Sequence, residues 1–175
     1  MTKLITIQDI VEFKPMSMNT NVAKALDPYI IEAQEFDLKP FLGDPFYLAI
    51  LNDATTFDTY SDIWNGQEYQ YNGYTYAHNG LKSVLIYQAY ARYLVNANST
   101  ETPFGVVAKR NEFSDQIDTK ALSMKIQQAR AGAKAYQQQV EDYLNRNLND
   151  FPLWRISCNT PKNNSSVRIS RIKRY

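Results

Sequence analysis

The chain is poor in the residue types from which most enzyme centres are built. Its 175 residues contain one histidine, His78, and one cysteine, Cys158. A single cysteine excludes an internal disulfide and gives no sign of an oxidising compartment. Zinc needs three or four His, Cys or acidic ligands at recognisable spacing, which this chain does not supply, and a di-iron bundle needs two Glu-x-x-His pairs, which one histidine excludes. A Cys–His nucleophile pair would require Cys158 to be held within reach of a base, and Cys158 stands in a polar segment with little to hold it. An incidental thiol and a turn histidine are the preferred reading. Six glycines serve as punctuation: no phosphate loop, no Gly-x-Gly-x-x-Gly and no Gly-x-Ser-x-Gly is present. No apolar run approaches the ~18–20 residues that cross a bilayer. The stretch from Met1 to Asp9 is interrupted by polar groups too early for a secretion signal. The expectation is an intracellular or virion-type protein with no cofactor, no metal, no membrane contact and no catalysis. The sequons at Asn98 and Asn164 then read as chance matches.

Acidic charge is also missing from one end. After Asp150 no acid occurs, while Arg155, Lys162, Arg168, Arg171, Lys173 and Arg174 follow. Residues 155–175 therefore carry +6, and residues 1–154 hold thirteen basic against eighteen acidic residues, a net of −5. The expected organisation is a helical body over 1–154 and an extended basic tail over 155–175. The tail is rich in Asn and Ser, with too few apolar residues for a core, so it should order only against a partner. Its end, Val167 to Tyr175, alternates apolar Val167, Ile169 and Ile172 with Arg168, Arg171, Lys173 and Arg174. Alternation of that kind suits addition to a sheet edge or groove of another protein, and protein docking is preferred to phosphate binding. Arg155, Arg168, Ile169, Arg171, Ile172, Lys173, Arg174 and Tyr175 are the candidate partner-binding residues. The alternative function is a nucleic-acid-binding module that uses the same tail.

What the chain does have is tyrosine, 13 in all, five of them between Tyr60 and Tyr76. Tyr69, Tyr71, Tyr74 and Tyr76 alternate around Asn72-Gly73, a strong hairpin signal, and predict a small two-stranded ribbon. Such a ribbon is marginal alone, so its tyrosines must pack on helices or on a neighbouring chain. They are the oligomer-interface candidates.

The rest reads as helix. Thr6 caps a turn from Ile7 to Glu12. A second helix opens at Asn19 or Thr20, with Asp27 capping afresh before Pro28, and Ile30, Ala33 and Phe36 or Asp37 on one face. Gly43 ends it, and Asp44-Pro45 caps and opens another. A short helix falls near 58–64. The segment Leu81 to Val95, apolar almost all round, predicts the central buried helix. Ser99 to Pro103 is a polar break, and Phe104 to Phe113 a loop partly extended at Gly105–Ala108. Leu122, Ile126, Ala129, Ala133, Tyr136, Val140 and Tyr143 form three heptads of one seam, in a helix from about Ser114 or Asp118 to Asn147. Gly132 weakens it by about 1 kcal/mol relative to Ala. Phe151 to Trp154 packs back on the body. Glu32, Glu35 and Asp37 could do acid/base work, yet a solvated carboxylate face is preferred. The expected fold is a mainly α bundle with one long C-terminal helix, a tyrosine-rich β-hairpin and the basic tail.

Several strings resemble those of head–tail connector (adaptor) ring proteins of tailed bacteriophages, most like those of crAss-like and other Bacteroidetes phages. They are Ala33 to Gly43 followed by Asp44-Pro-Phe-Tyr47; Gly80-Leu81 with Tyr87, Ala89, Tyr90, Ala91 and Tyr93; Thr102 to Val107; Glu112-Phe-Ser114; and Tyr136, Val140 and Tyr143-Leu144. Together they cover about residues 20–154 and are chiefly packing positions. The resemblance implies a structural virion subunit in the neck, assembled in the host cytoplasm into a homo-oligomeric ring, commonly of twelve copies. It implies contact with the portal protein on one side and the next tail or ring protein on the other. DNA would pass through the axial channel without sequence-specific binding. A terminal segment reaching into the portal would fit the basic tail.

Overall fold

The computed structural model describes residues 2–14, 20–54, 59–96, 99–102, 105–108 and 118–154, the backbone alone at 20–25, 99–102 and 105–108. The fold is mainly α, with one long helix and small antiparallel ribbons. The tail, with Arg155, Arg168, Ile169, Arg171, Ile172, Lys173, Arg174 and Tyr175, lies outside the described residues, as does Cys158.

Helix α1, Ile7–Phe13, starts on a capping box. Thr6 Oγ1 accepts from the Asp9 amide, and Asp9 Oδ2 accepts from the Thr6 amide at 2.7 Å. Asp9 also pairs with Lys82 at 2.6 Å, which ties α1 to the central helix. Helix α2, Thr20–Ala33, runs through Pro28 without a break. Asp27 therefore does not cap a fresh helix; its carboxylate takes Lys3 at 2.8 Å.

At residue 34 the helix widens into a π-helical turn, Gln34–Leu38, before α3, Lys39–Leu42. Pro40 accounts for it. Proline has no N–H for the carbonyl four residues back, and its ring crowds that carbonyl. A single π turn opens the ladder where the crowding falls, and the Lys39 amide bonds the Gln34 carbonyl instead. The extra residue rotates the side chains that follow, and Phe36, expected on the core face, is 65% exposed. Gln34, one helical turn after Ile30 and on the same face, is fully buried. Gln34 then clamps the N-terminal segment, accepting from the Leu4 amide at 2.8 Å and donating to the Thr2 carbonyl at 3.1 Å.

Gly43 ends α3 and is itself the first cap of α4, Asp44–Asp53, so Asp44 lies inside the helix instead of capping it. Phe46, Tyr47 and Ile50 are its buried side. After α5, Ser61–Asn65, comes a hairpin of β1, Gln67–Tyr71, and β2, Tyr74–His78. Gly66 and Gly80 sit back to back at its neck. A Cβ on Gly66 would fall under 3.0 Å from the backbone of residues 78–80, one on Gly80 equally close to the backbone of residues 64–66, and both hold positive φ (91° and 71°). The two chain ends can thus cross in contact.

Helix α6, Gly80–Asn96, is the central element, packed against α7, α2, α5 and α1, with Leu81, Val84, Leu85 and Ala89 fully buried. A second ribbon of β3, Ser99–Thr102, and β4, Gly105–Ala108, follows: β3 lies where a polar break was expected, and β4 is the stretch of the loop expected to be extended. Helix α7, Thr119–Arg146, is capped by Asp118 and ends at Asn147. Its 28 residues span about 42 Å. The seven-residue seam is the face turned to α6, with Ala129, Ala133, Val140 and Tyr143 buried and Leu122, Ile126 and Tyr136 half-buried. Gly132 is more than a weak point. The Tyr87 ring lies over it so closely that a Cβ would meet Cε1 at 2.5 Å. Phe151 and Trp154 fold back on the core, and Trp154 Nε1 donates to Asn145 Oδ1 at 2.9 Å.

Candidate functional site: an aromatic face on a hairpin

Asn72 (φ 50°) and Gly73 (φ 81°) both take the left-handed conformation, as a two-residue type I′ turn requires. That turn fixes the register: Tyr69 opposes Tyr76, Tyr71 opposes Tyr74, and Gln67 opposes His78. Directly opposed residues share a face, and alternate residues along each strand return to it. All four tyrosines, with Gln67 and His78, therefore form one face, while Glu68, Gln70, Thr75 and Ala77 form the other.

The inner rows of the tyrosine face press on the C-terminal end of α7. His78 is buried and stacks on Tyr143 at 4.3 Å and 25°, and Tyr69 meets Tyr143 edge-on at 4.9 Å. Gln67 Nε2 donates to the Tyr143 hydroxyl at 2.7 Å. Arg146 closes the arrangement. Its Nη1 donates to the Tyr69 hydroxyl at 2.7 Å, and its guanidinium lies 4.0 Å from the Tyr76 ring centroid and 4.9 Å from that of Tyr71. The outer row overhangs the helix end. Tyr71 is 39% exposed and Tyr74 69%. Of the four candidate tyrosines, then, Tyr69 and Tyr76 are largely spent inside the molecule, and Tyr71 and Tyr74 are left for a partner.

His78 is no turn histidine. Burial holds its imidazole below the ordinary histidine range, opposed by the nearby Asp62 carboxylate, and neither ring nitrogen has a hydrogen-bond partner among the described residues. Two positions beyond Tyr76 in a strand, it shares the tyrosine face by parity, which the alternation already implied. Arg146 is the residue that sequence reading missed. Its position one turn past Tyr143, at the basic end of the seam, was the available signal.

The three carboxylates singled out in the sequence are engaged. Asp37 takes a two-point contact from Arg92 (Nε at 2.6 Å, Nη2 at 3.0 Å), with Glu32 at 3.6 Å from the same guanidinium. Glu35 accepts from the Tyr47 hydroxyl at 2.8 Å and faces Lys39 at 3.5 Å. Desolvation, aided by the Glu35 charge and opposed by a hydrogen bond with Gln34, pushes the Tyr47 phenol up to about 12. The Asp37 hydrogen bonds raise the already high Arg92. Among the described residues, no group of three His, Cys, Asp or Glu could hold a metal ion.

The model of a family of unknown function, DUF6712, matches residues 38–164. No curated protein and no solved structure matches the chain.

Proposed function

The chain belongs to the DUF6712 family, and we propose that it is a structural subunit of a phage head-to-tail connector, a ring-forming adaptor between portal and tail that breaks no bonds. The observation that carries this reading is the overhang of Tyr71 and Tyr74. Two large, rigid, amphipathic side chains stand on a hairpin held by Arg146 and Tyr143, so little entropy is lost when a partner covers them. Tyrosines so placed are the side chains that dominate protein–protein contacts. The residues that carry the resemblance support the same reading: Leu81, Ala89, Val140 and Leu144 are buried where α6 meets α7.

In this role the net −5 of residues 1–154 repels a passing duplex wherever it faces the channel, which favours slippage over sticking. The +6 tail docks on the portal. The test is removal of residues 155–175 from the full chain. Under the connector reading the truncated protein loses assembly with portal but keeps its fold. Salt-sensitive binding to DNA that disappears with the same deletion, portal assembly being unaffected, would carry the nucleic-acid reading instead.

A further inference from the structure

A cavity of about 430 Å³ lies between α4, α5, the end of α7 and the segment that follows it. Its apolar lining is mainly aromatic. Phe46, Tyr143 and Phe151 are its buried part, with Tyr60 and Leu153 half-buried beside them. The rings brace one another, Phe46 with Tyr60 at 5.6 Å, and Phe151 with Phe46 at 6.1 Å and with Tyr143 at 5.7 Å. Two exposed carboxylates, Asp62 and Asp150, line the same cavity. Neither has an ion pair among the described residues, and no described basic residue lines the cavity. Burial raises the Tyr143 phenol, opposed by its hydrogen bond with Gln67 and aided by the charges of Asp62 and Asp150. Both carboxylates are thus within electrostatic reach of the aromatic lining. Rings beside unpaired carboxylates suit a cation on an apolar stem. The stem covers apolar surface, the rings attract the charge, and a carboxylate accepts its hydrogen bonds.

The chain carries such a ligand within reach. Residues 155–175 hold six basic residues and no acidic one, and their last nine set Val167, Ile169 and Ile172 among Arg168, Arg171, Lys173 and Arg174. The apolar members suit the aromatic lining and the basic members suit the two carboxylates. Reach is set by residues 155–166, an Asn- and Ser-rich stretch of twelve. A flexible linker of that length has a root-mean-square span of about 19 Å and a limit of about 43 Å. It begins two positions beyond Leu153, which itself lines the cavity. The terminal segment therefore meets its own cavity at an effective concentration near millimolar, and a separate copy at micromolar concentration competes poorly with it.

We propose that the terminal segment, Val167 to Tyr175, folds back into this cavity on its own chain, with guanidinium groups on Asp62 and Asp150 and isoleucine side chains over Tyr60 and Leu153. The contact is a latch. The segment that docks on a partner is held against the body and leaves it when the partner offers a stronger site. The contact stands on the chain alone. Its use as a latch rests on the connector reading, which removal of residues 155–175 tests separately.

Trypsin, which cleaves after Lys and Arg, reads the contact on the full chain. Initial cleavage rates after Arg168 and Arg171, inside the docked segment, are compared with the rate after Lys162 in the linker, each fragment being identified by its mass. The variant Asp62→Asn/Asp150→Asn is used with an unfolding curve to establish that it folds. Cleavage after Arg168 and Arg171 should be about tenfold faster in it than in wild type, with the Lys162 rate unchanged. Salt at about 1 M should raise the wild-type rates, relative to Lys162, toward the same level. Glu12→Gln/Glu68→Gln removes the same charge from exposed positions elsewhere and should change nothing. Equal rates in wild type and the cavity variant, or equal release in the Glu12/Glu68 variant, would overturn the proposal. So would protection that returns when the cavity variant is co-expressed with Arg168→Gln/Arg171→Gln, whose tail lacks both cleavage sites, because the tail would then sit on a neighbouring copy.

Discussion

Replacing Arg146 with alanine tests how the hairpin is held. Three contributions depend on its guanidinium: the 2.7 Å hydrogen bond to the Tyr69 hydroxyl, cation–π contacts to Tyr76 and Tyr71, and a positive charge at the C-terminal end of α7. A hydrogen bond to a charged group contributes about 1.5–3 kcal/mol, a cation–π contact about 0.5–1, and a cation in a last helical turn about 0.3–1. One half-buried guanidinium serves all three, so the terms overlap, and Arg146→Ala should cost about 2–3 kcal/mol. Urea unfolding measures that loss, and amide exchange locates it: β1 and β2 should lose protection while α6 keeps its own. Arg146→Lys retains the charge but not the planar stack, and should recover less than half. A loss under about 0.5 kcal/mol with unchanged protection in both strands would refute the argument that Arg146 clamps the hairpin.

Other substitutions test the frame around the site. Helix propensity alone makes Gly132→Ala stabilising by about 1 kcal/mol, but the Tyr87 ring occupies the space, and overpacking costs about 1–3 kcal/mol. A lowered melting temperature is expected, and a raised one would contradict the packing. Gln34→Leu strands the Leu4 amide and should cost about 1–3 kcal/mol, with faster exchange at Leu4 as its signature. For His78 the folded-state pKa lies below the ordinary 6.5, so the unfolded chain binds the proton first. The neutral ring's contribution is complete above about pH 6.5 and is lost as pH falls from there toward the folded value. Unfolding curves across that window should show wild type losing stability on acidification, and His78→Phe losing less; equal slopes would exclude His78 as the cause.

Much of this arrangement is legible in the chain because local signals and tertiary packing agree. Asn72-Gly73 demands a type I′ turn, and the alternation around it then places four tyrosines on one face. The spacing from Leu122 to Tyr143 fits one helical seam, and α6 supplies the apolar partner for it. The misreadings have local physical causes. Pro40 acts on the turn before it, so a strict 3.6-residue count carried Phe36 to the core. Gln34 sits one turn after Ile30 on the buried face, but its polar side chain gave no apolar signal there. Asp44 looks like a cap, yet Gly43, free to adopt φ 77°, takes that position. Ser99 to Thr102 has no apolar alternation, which hid β3, although Thr100 and Thr102 are good strand formers. Exposure was the least readable property. Nothing in Tyr-x-Tyr says that α7 ends beneath Tyr69 and Tyr76 and leaves Tyr71 and Tyr74 beyond it.

The central claim, that this subunit works by joining copies of itself around a channel, is met most directly by imaging the purified full-length protein in negative stain, alongside its mass by light scattering over a range of concentration. Closed rings of one diameter, with a mass that is a fixed multiple of the subunit, are the predicted result. A monomer throughout, or a two-fold dimer that goes no further, would contradict it.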